Sequence, residues 1–365
     1  MIHIDGSRIE GGGQILRTAL ALSALSRKPF TADKIRHNRP KPGLKAQHLS
    51  CIDALIKLAK AQVKGAEPGS SAIEFAPGEI TPGTLSLDIG TAGSITLLLQ
   101  SLLLPCIFAD GQIILHIKGG TDTRWSIPVD YFSHVILPFF REFVSIELND
   151  MKRGFYPKGQ GFIRLTIKPR YCLKNHRNVD DFCTHLRSKL PGIHLSGKSR
   201  LERIEGISAA SDQLKNAKVA ERQAEGATQG LRALCPLRIK DEYQPTASAG
   251  TVITLWTINR QEKVFMGADA LGERGLRAEK VGAKAAKKLL KVLNSEAIVD
   301  THLADNLIPL LALVGGEIKT DKITGHIRSN IYVCEKFLDV KFLINEEKNQ
   351  ITVGRQHKEG FSDHS

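Results

Sequence analysis

A histidine beside a glycine, in Thr324-Gly325-His326-Ile327-Arg328-Ser329-Asn330-Ile331, offers an imidazole that could act as a nucleophile or a base. The ordinary imidazole pKa of about 6.5 leaves a neutral, nucleophilic nitrogen near neutral pH. The chain carries 12 histidines, so the type alone does not separate a chemical residue from a structural one. A second candidate is Glu10-Gly11-Gly12-Gly13-Gln14-Ile15-Leu16-Arg17, where three glycines precede an apolar helix. Glycines let the backbone approach a phosphate, and a helix N-terminus favours anions. Glu10 suits a divalent cation and Arg17 suits phosphate. The plainer reading is a tight strand-to-helix turn with a solvated charge on either side.

Between Arg36 and His48 runs Arg-His-Asn-Arg-Pro-Lys-Pro-Gly-Leu-Lys-Ala-Gln-His, a stiff basic loop before a helix. A rigid cationic loop loses little entropy on capturing phosphate, although an ordinary exposed connection looks the same. Gly90-Thr91-Ala92-Gly93-Ser94 repeats the small-residue turn and leads into an apolar helix whose polar member is Gln100. Gln100 is either functional or bonded to a neighbouring backbone. Gly119-Gly120-Thr121-Asp122-Thr123-Arg124-Trp125 adds another polar, glycine-hinged loop. In Thr301-His302-Leu303-Ala304-Asp305-Asn306, the polar residues could cap a helix or meet a nucleotide or its metal. One scheme is missing: the chain has no Lys-x-Asp-Gly of the lysine-adenylating kind.

These residues must be positioned by a recurring unit: a small-residue turn, an apolar helix, strands, and a second helix. Helix pairs are predicted at about Gln14–Ser26 with Leu44–Lys60, Ser94–Phe108 with Ile127–Phe143, and Leu276–Leu293 with Leu303–Val314. Strands are predicted at Gln112–Ile117, Phe162–Ile167 and Ile331–Val333. Alternating strands and helices make the class α/β or α+β. Residues 196–272 break the rhythm with a polar helix (Gln213–Glu225), a turn-rich segment and a strand at Thr251–Ile258. They read as an inserted small α/β domain, leaving 1–195 and 273–354 as the large domain and 355–365 as a polar tail.

With 365 residues, 42% hydrophobic and 24% charged, the chain can bury a substantial core. Six scattered cysteines form no Cys-x-x-Cys pair, which argues against zinc and disulfide frameworks and for reduced, mostly buried thiols. No signal-like N-terminus and no membrane-length apolar run are visible, so a cytoplasmic protein is expected. The net charge of +13 suits a polyanionic partner, RNA or DNA.

In order and spacing these motifs resemble the RNA 3′-terminal phosphate cyclase family. The likeness runs from Ile4-Asp5-Gly6 through Pro40-Lys41-Pro42-Gly43-Leu44, Gly93-Ser94, Gly119-Gly120-Thr121-Asp122, Gly154-Phe155-Tyr156-Pro157 and Leu303-Ala304-Asp305 to Glu335-Lys336-Phe337-Leu338. It implies three similar units, each a four-stranded sheet backed by two helices, with a small α/β domain inserted in the third. It implies ATP as co-substrate and RNA with a 3′-terminal phosphate as substrate, cyclised to a 2′,3′-phosphodiester. His326 matches the nucleophile that would carry AMP. Gln100 and His302, Leu303, Ala304, Asp305 and Asn306 match nucleotide-binding elements. Glu10 matches a metal contact for Mg²⁺ or Mn²⁺, and Arg17, Arg39 and Gln47 match phosphate contacts. Asn306 stands where the family more often has Gln, and Ser329 where it has Thr. His302 occupies a position that can be aromatic, which makes it a poorer nucleophile candidate than His326. A homo-oligomer is allowed by the resemblance.

Two other readings differ in chemistry. Cyclase-like factors of ribosome assembly share the fold without catalysis and should lack the nucleophile, whereas His326 is present. An enolpyruvyl transferase has a related repeated unit but would leave the basic excess unexplained.

Overall fold

A computed structural model describes residues 1–90, 92–197 and 200–355. The tail expected at 355–365 lies outside the described residues from 356 onward. The first unit contains β1 (Ile2–Asp5), α1 (Gly13–Ser26), β2 (Phe30–Asp33), α2 (Ala46–Ala59), β3 (Gln62–Lys64) and β4 (Ile73–Ala76). The second contains β5 (Gly83–Asp88), α3 (Ile95–Ile107), β6 (Ile113–Gly119), a broken helix, β7 (Val144–Lys152) and β8 (Gly161–Pro169). That helix consists of α4 (Val129–Tyr131), a π turn (Phe132–Ile136) and α5 (Leu137–Phe140). Pro138, at the start of α5, has no N–H for the usual i−4 bond, and the wider π turn accommodates it.

After α6 (Val179–Lys189) and β9 (Ile193–Leu195) come β10 (Leu201–Ser211), α7 (Val219–Leu231), β11 (Leu237–Gln244), β12 (Thr251–Asn259), β13 (Val264–Leu271) and α8 (Ala278–Leu293). The chain ends in α9 (Thr301–Val314), β14 (Gly316–Lys319), α10 (Gly325–Phe337), β15 (Val340–Asn345) and β16 (Gln350–Arg355).

Three sheets share one connectivity: β1-β2-β4-β3, β5-β6-β8-β7 and β9-β14-β16-β15. In each, the first two strands are parallel and the other pairs antiparallel. The fourth sheet, β11-β10-β12-β13, has a different order and interrupts the third unit between β9 and α9. The mixed α+β class and the threefold repetition therefore agree with the sequence reading.

Three expectations are corrected. The third helix pair is α9 with α10, not α8 with α9. The buried face of α8 (Val281, Ala285, Ala286, Leu289, Val292) joins Ile204, Ile253 and Leu255 of the fourth sheet in a core of its own. A Cβ on Gly282 would lie 1.9 Å from the Gln223 carbonyl oxygen, and one on Gly226 would lie 2.1 Å from that of Glu279. Glycine at both positions lets α7 and α8 touch backbone to backbone. Second, Ile331-Tyr332-Val333 is helical, within α10. Ile327, Asn330, Ile331, Cys334 and Phe337 are buried at helical spacing, and the Thr324 hydroxyl caps the helix by accepting from the Ile327 N–H. In the inserted segment the expected polar helix begins later, at Val219, after a short 3₁₀ turn at Asp212–Leu214.

One continuous apolar core joins the three repeated sheets, with α1 packed against both α3 and α10, and α10 against α9. Among the described residues no helix is long and apolar enough to cross a membrane. None of the six cysteines is in a disulfide, and Cys51, Cys106, Cys183 and Cys334 are buried.

Candidate active site

Helices α1, α3, α9 and α10 each bring polar residues from their first two turns to one place. The Arg17 guanidinium donates through Nε to Gln100 Oε1 at 2.8 Å and through Nη2 to Gln14 Oε1 at 2.7 Å. Gln100 in turn donates to Asn306 Oδ1 at 3.2 Å, and Asn306 donates to the His302 carbonyl at 2.8 Å. On the other branch, Gln14 Nε2 donates to Asn330 Oδ1 at 3.1 Å, where the Thr18 hydroxyl also donates. Asn330 Nδ2 donates to the Asp305 carbonyl and carboxylate, at 2.9 and 2.7 Å. Asp305 Oδ2 then lies 3.8 Å from His326 Nδ1, while Glu10 Oε2 lies 3.0 Å from His326 Nε2. Arg39 Nη2 closes the series 3.6 Å from the same Glu10 oxygen.

The glycines explain how these groups fit. Gly11 adopts φ +54°, a left-handed conformation that disfavours a side chain, and its site is packed against Asn38 of the basic loop. A Cβ on Gly325 would come within 2.4 Å of the Glu10 carboxylate, so glycine there lets Glu10 reach His326. His326 is the second residue of α10, where unpaired backbone N–H groups and the helix dipole favour a phosphate.

The electrostatics are uneven. Arg17 is 6% exposed, burial pulls its pKa down, and it makes no ion pair with a carboxylate among the described residues. A buried cation whose side-chain hydrogen bonds go to amide oxygens rather than to a carboxylate is well suited to an incoming anion. The His326 imidazole, about half exposed, has its pKa raised, chiefly by Asp305 as hydrogen-bond acceptor and then by the charges of Asp305 and Glu10. Desolvation and Arg17 oppose that rise. His48 goes the other way, pushed down to about 3 by burial and then by Arg17, Arg36 and Lys45. It is therefore neutral near pH 7, and its Nδ1 accepts from the Lys45 N–H at 3.0 Å.

The network opens on a cleft of 480 Å³. Arg17, Gln100, His302, Asp305, Asn306 and His326 of the network line it, together with Arg124–Ile127, Asp269 of β13, and Lys284 and Lys288 of α8.

A profile of RNA 3′-terminal phosphate cyclases matches residues 8–344. This chain belongs to that family. The RNA 3′-terminal phosphate cyclase of Pyrococcus furiosus is 42% identical over 361 residues, covering 98% of this chain and 99% of the relative. That of Methanosarcina mazei is 43% identical over 362 residues, covering 97% and 100%. That of Archaeoglobus fulgidus is 42% identical over 365 residues, covering 97% and 100%.

Within this cyclase-family site, Glu10, Arg17, Arg39, Gln100, His302, Asp305, Asn306 and His326 are all linked as described. Leu303 and Ala304 are not. Both are fully buried, because on α9 residues 302, 305 and 306 face the cleft while 303, 304, 307 and 308 face the core. Gln47 is also occupied elsewhere: its amide donates to the Ser94 carbonyl at 3.1 Å and accepts from the Ser94 N–H at 2.7 Å, tying α2 to the turn before α3. Gln14, Thr18 and Asn330 were not singled out from the sequence. The available signal was polar residues at core-facing helical positions.

Among the described residues no cluster of three or more His, Cys, Asp or Glu could cage a metal ion. Glu10 offers one carboxylate, partly taken by His326 and Arg39. That donor set fits a Mg²⁺-like ion whose other ligands are phosphate oxygens and water, and does not fit a resident protein-held metal.

Proposed function

We propose that this chain converts an RNA 3′-terminal phosphate into a 2′,3′-cyclic phosphodiester at the expense of ATP, with AMP carried on His326 Nε2. The observation that carries the reading is the imidazole itself: half exposed at a helix N-terminus and lining the cleft, with Asp305 on the Nδ1 side and Glu10 on the Nε2 side.

Asp305 favours the tautomer with the proton on Nδ1, which leaves the Nε2 lone pair free once Glu10 withdraws from it. Nε2 attacks the α-phosphorus of ATP, the bond to the β-phosphate oxygen breaks, and pyrophosphate leaves. The resulting ring is cationic, and Asp305 stabilises it. Arg17, held flat by Gln14 and Gln100, offers its charge to the phosphates. Glu10 would hold a divalent cation against the same oxygens, where it would supply further neutralisation of charge. An oxygen of the RNA 3′-phosphate then attacks the AMP phosphorus, and the phosphorus–nitrogen bond breaks with its electron pair returning to Nε2. The vicinal 2′-hydroxyl attacks the activated terminal phosphorus, AMP leaves, and the hydroxyl proton passes to solvent or to Nε2. Proximity drives this last step, and only RNA supplies the hydroxyl.

Incubation with ATP labelled at the α-phosphate is expected to give an acid-labile protein–AMP adduct, discharged by RNA bearing a 3′-phosphate. His326→Ala should form none. A stable adduct in that variant would move the nucleophile, with His302 next; RNA binding without any adduct in the wild type would support a non-catalytic factor.

A further inference from the structure

The reaction joins two substrates at one nitrogen. If Gln100, His302, Asp305 and Asn306 hold the nucleotide, the RNA must reach His326 along the other residues that line the cleft. We propose that this wall, formed by the turn at Trp125 and by α8, is the track for the RNA strand behind its 3′ end. One base stacks on the Trp125 indole, and Lys284 and Lys288 pair with the strand's phosphates. The inference rests on the cyclase reading and extends it to how the polymer is held.

Trp125 is 93% exposed and adopts φ +69°, an unusual conformation for a bulky residue. The turn that presents it is nevertheless ordered. Thr123 Oγ1 and Ser126 Oγ are 2.9 Å apart, and the Ser126 hydroxyl lies 3.1 Å from the Thr123 carbonyl oxygen. A strained turn that holds a large aromatic face in water beside a reactive group is a stacking platform in search of a base. Indole stacks on any base, which suits an enzyme that reads an end rather than a sequence.

Lys284 and Lys288 lie one turn apart on α8 and both line the cleft. Lys288 Nζ donates to the Asp269 carbonyl at 2.8 Å and lies 3.9 Å from its carboxylate, so the ammonium is oriented. Lys284 is exposed and has no carboxylate partner among the described residues. The two acids on this wall already face cations: Asp269 faces Lys288, and Glu273 lies 3.4 Å from Arg124. The three cations Arg124, Lys284 and Lys288 outnumber these two acids, so this lining carries net positive charge, as an RNA backbone requires.

The test uses the full chain and a single-stranded oligoribonucleotide ending in a 3′-phosphate. Two quantities are read separately: adduct formation from α-labelled ATP without RNA, and RNA affinity by fluorescence anisotropy across a salt series. Trp125→Ala is expected to weaken RNA binding roughly 5- to 100-fold, with Trp125→Phe close to wild type. Lys284→Ala with Lys288→Ala should flatten the dependence of log affinity on log salt by about 1.4, on the basis of about 0.7 per phosphate contact in single strands, and the double Arg replacement should restore it. Adduct formation should be unchanged in all of them. Unaltered RNA binding in the Trp125 and lysine variants would overturn the proposal, as would loss of adduct in step with RNA binding, which would assign this wall to the nucleotide. A wild type that forms no adduct would instead overturn the cyclase reading, and the affinity arm would still decide this one.

Discussion

His326 and His48 both feel Arg17, yet they titrate in opposite directions. His48 is enclosed with cations around it and is neutral near pH 7; His326 is bracketed by Asp305 and Glu10, and its cation is favoured. A raised pKa keeps the ring protonated, and so non-nucleophilic, to higher pH. Adenylation should therefore increase with pH through a midpoint above the ordinary imidazole value of about 6.5. Asp305 is the largest cause of the rise, so Asp305→Asn is expected to move the His326 midpoint to lower pH in an NMR titration of the ring. Glu10→Gln should move it in the same direction by less. A midpoint that stays put in Asp305→Asn would mean the two carboxylates do not set the charge of this ring. At this scale the sequence was informative about types rather than partners. His326, Glu10 and Arg17 stood out as a nucleophile, a carboxylate and a cation. Gln14, which helps connect them, looked like an ordinary helix residue, because a polar residue on an apolar face says only that it is bonded to something, and Asn330 read as the residue before a strand rather than as part of a helix.

The elements that hold these groups depend on one buried carboxylate. Asp300 precedes α9 and accepts from the His302 and Leu303 N–H groups at 2.9 and 3.1 Å. It also accepts from the Tyr131 hydroxyl at 2.5 Å and from the Gly267 N–H of β13 at 2.8 Å. One side chain thus ties the helix bearing His302, Asp305 and Asn306 to the second unit and to the inserted sheet. Replacing Asp300 with Ala removes a helix cap and strands buried donors, and should lower stability by about 2 kcal/mol or more in chemical denaturation. A loss within a few tenths of a kcal/mol would mean α9 is positioned by its apolar face alone. Helix existence was largely readable, since α1, α3 and α9 carry apolar spacing behind recognisable turns. Helix partnership was not. The amphipathic pattern of α8 states which face is buried and is silent on which sheet covers it, and the run Ile331–Val333 is too short to separate a strand from part of a helix.

At the scale of the whole molecule there are two large apolar cores, a third small one of Phe155, Ala209 and Val252, and a buried charge cluster that joins the second unit to the inserted sheet. Arg153, fully buried at the end of β7, pairs with Asp122 and Asp130 of the second unit and with Glu242 of β11 in the inserted sheet. Its backbone N–H also donates to Gln244 Oε1 at 3.0 Å. Desolvation raises the Asp130 pKa to about 6; Arg153 opposes that rise, while Asp122 and Glu242 add to it. Arg153→Met keeps the bulk and removes the only cation among the described residues that these three carboxylates share. The folded-state pKa of Asp130, already raised, should then rise further above its unfolded value, because Arg153 is the main influence opposing the rise. A carboxyl group raised in this way destabilises the fold above its folded pKa and is relieved as protons bind, so the variant should lose stability as pH increases from about 5 to 8. Breaking a buried pair by removing one partner costs about 3–5 kcal/mol, and that loss is expected near neutral pH, with a smaller loss at pH 5. Denaturation curves at both pH values make the comparison. An equal loss at pH 5 and pH 8 would mean the charge of Asp130 is not what Arg153 balances, and that the inserted sheet is held to the cyclase units by apolar contacts such as that of Trp256 with the larger core.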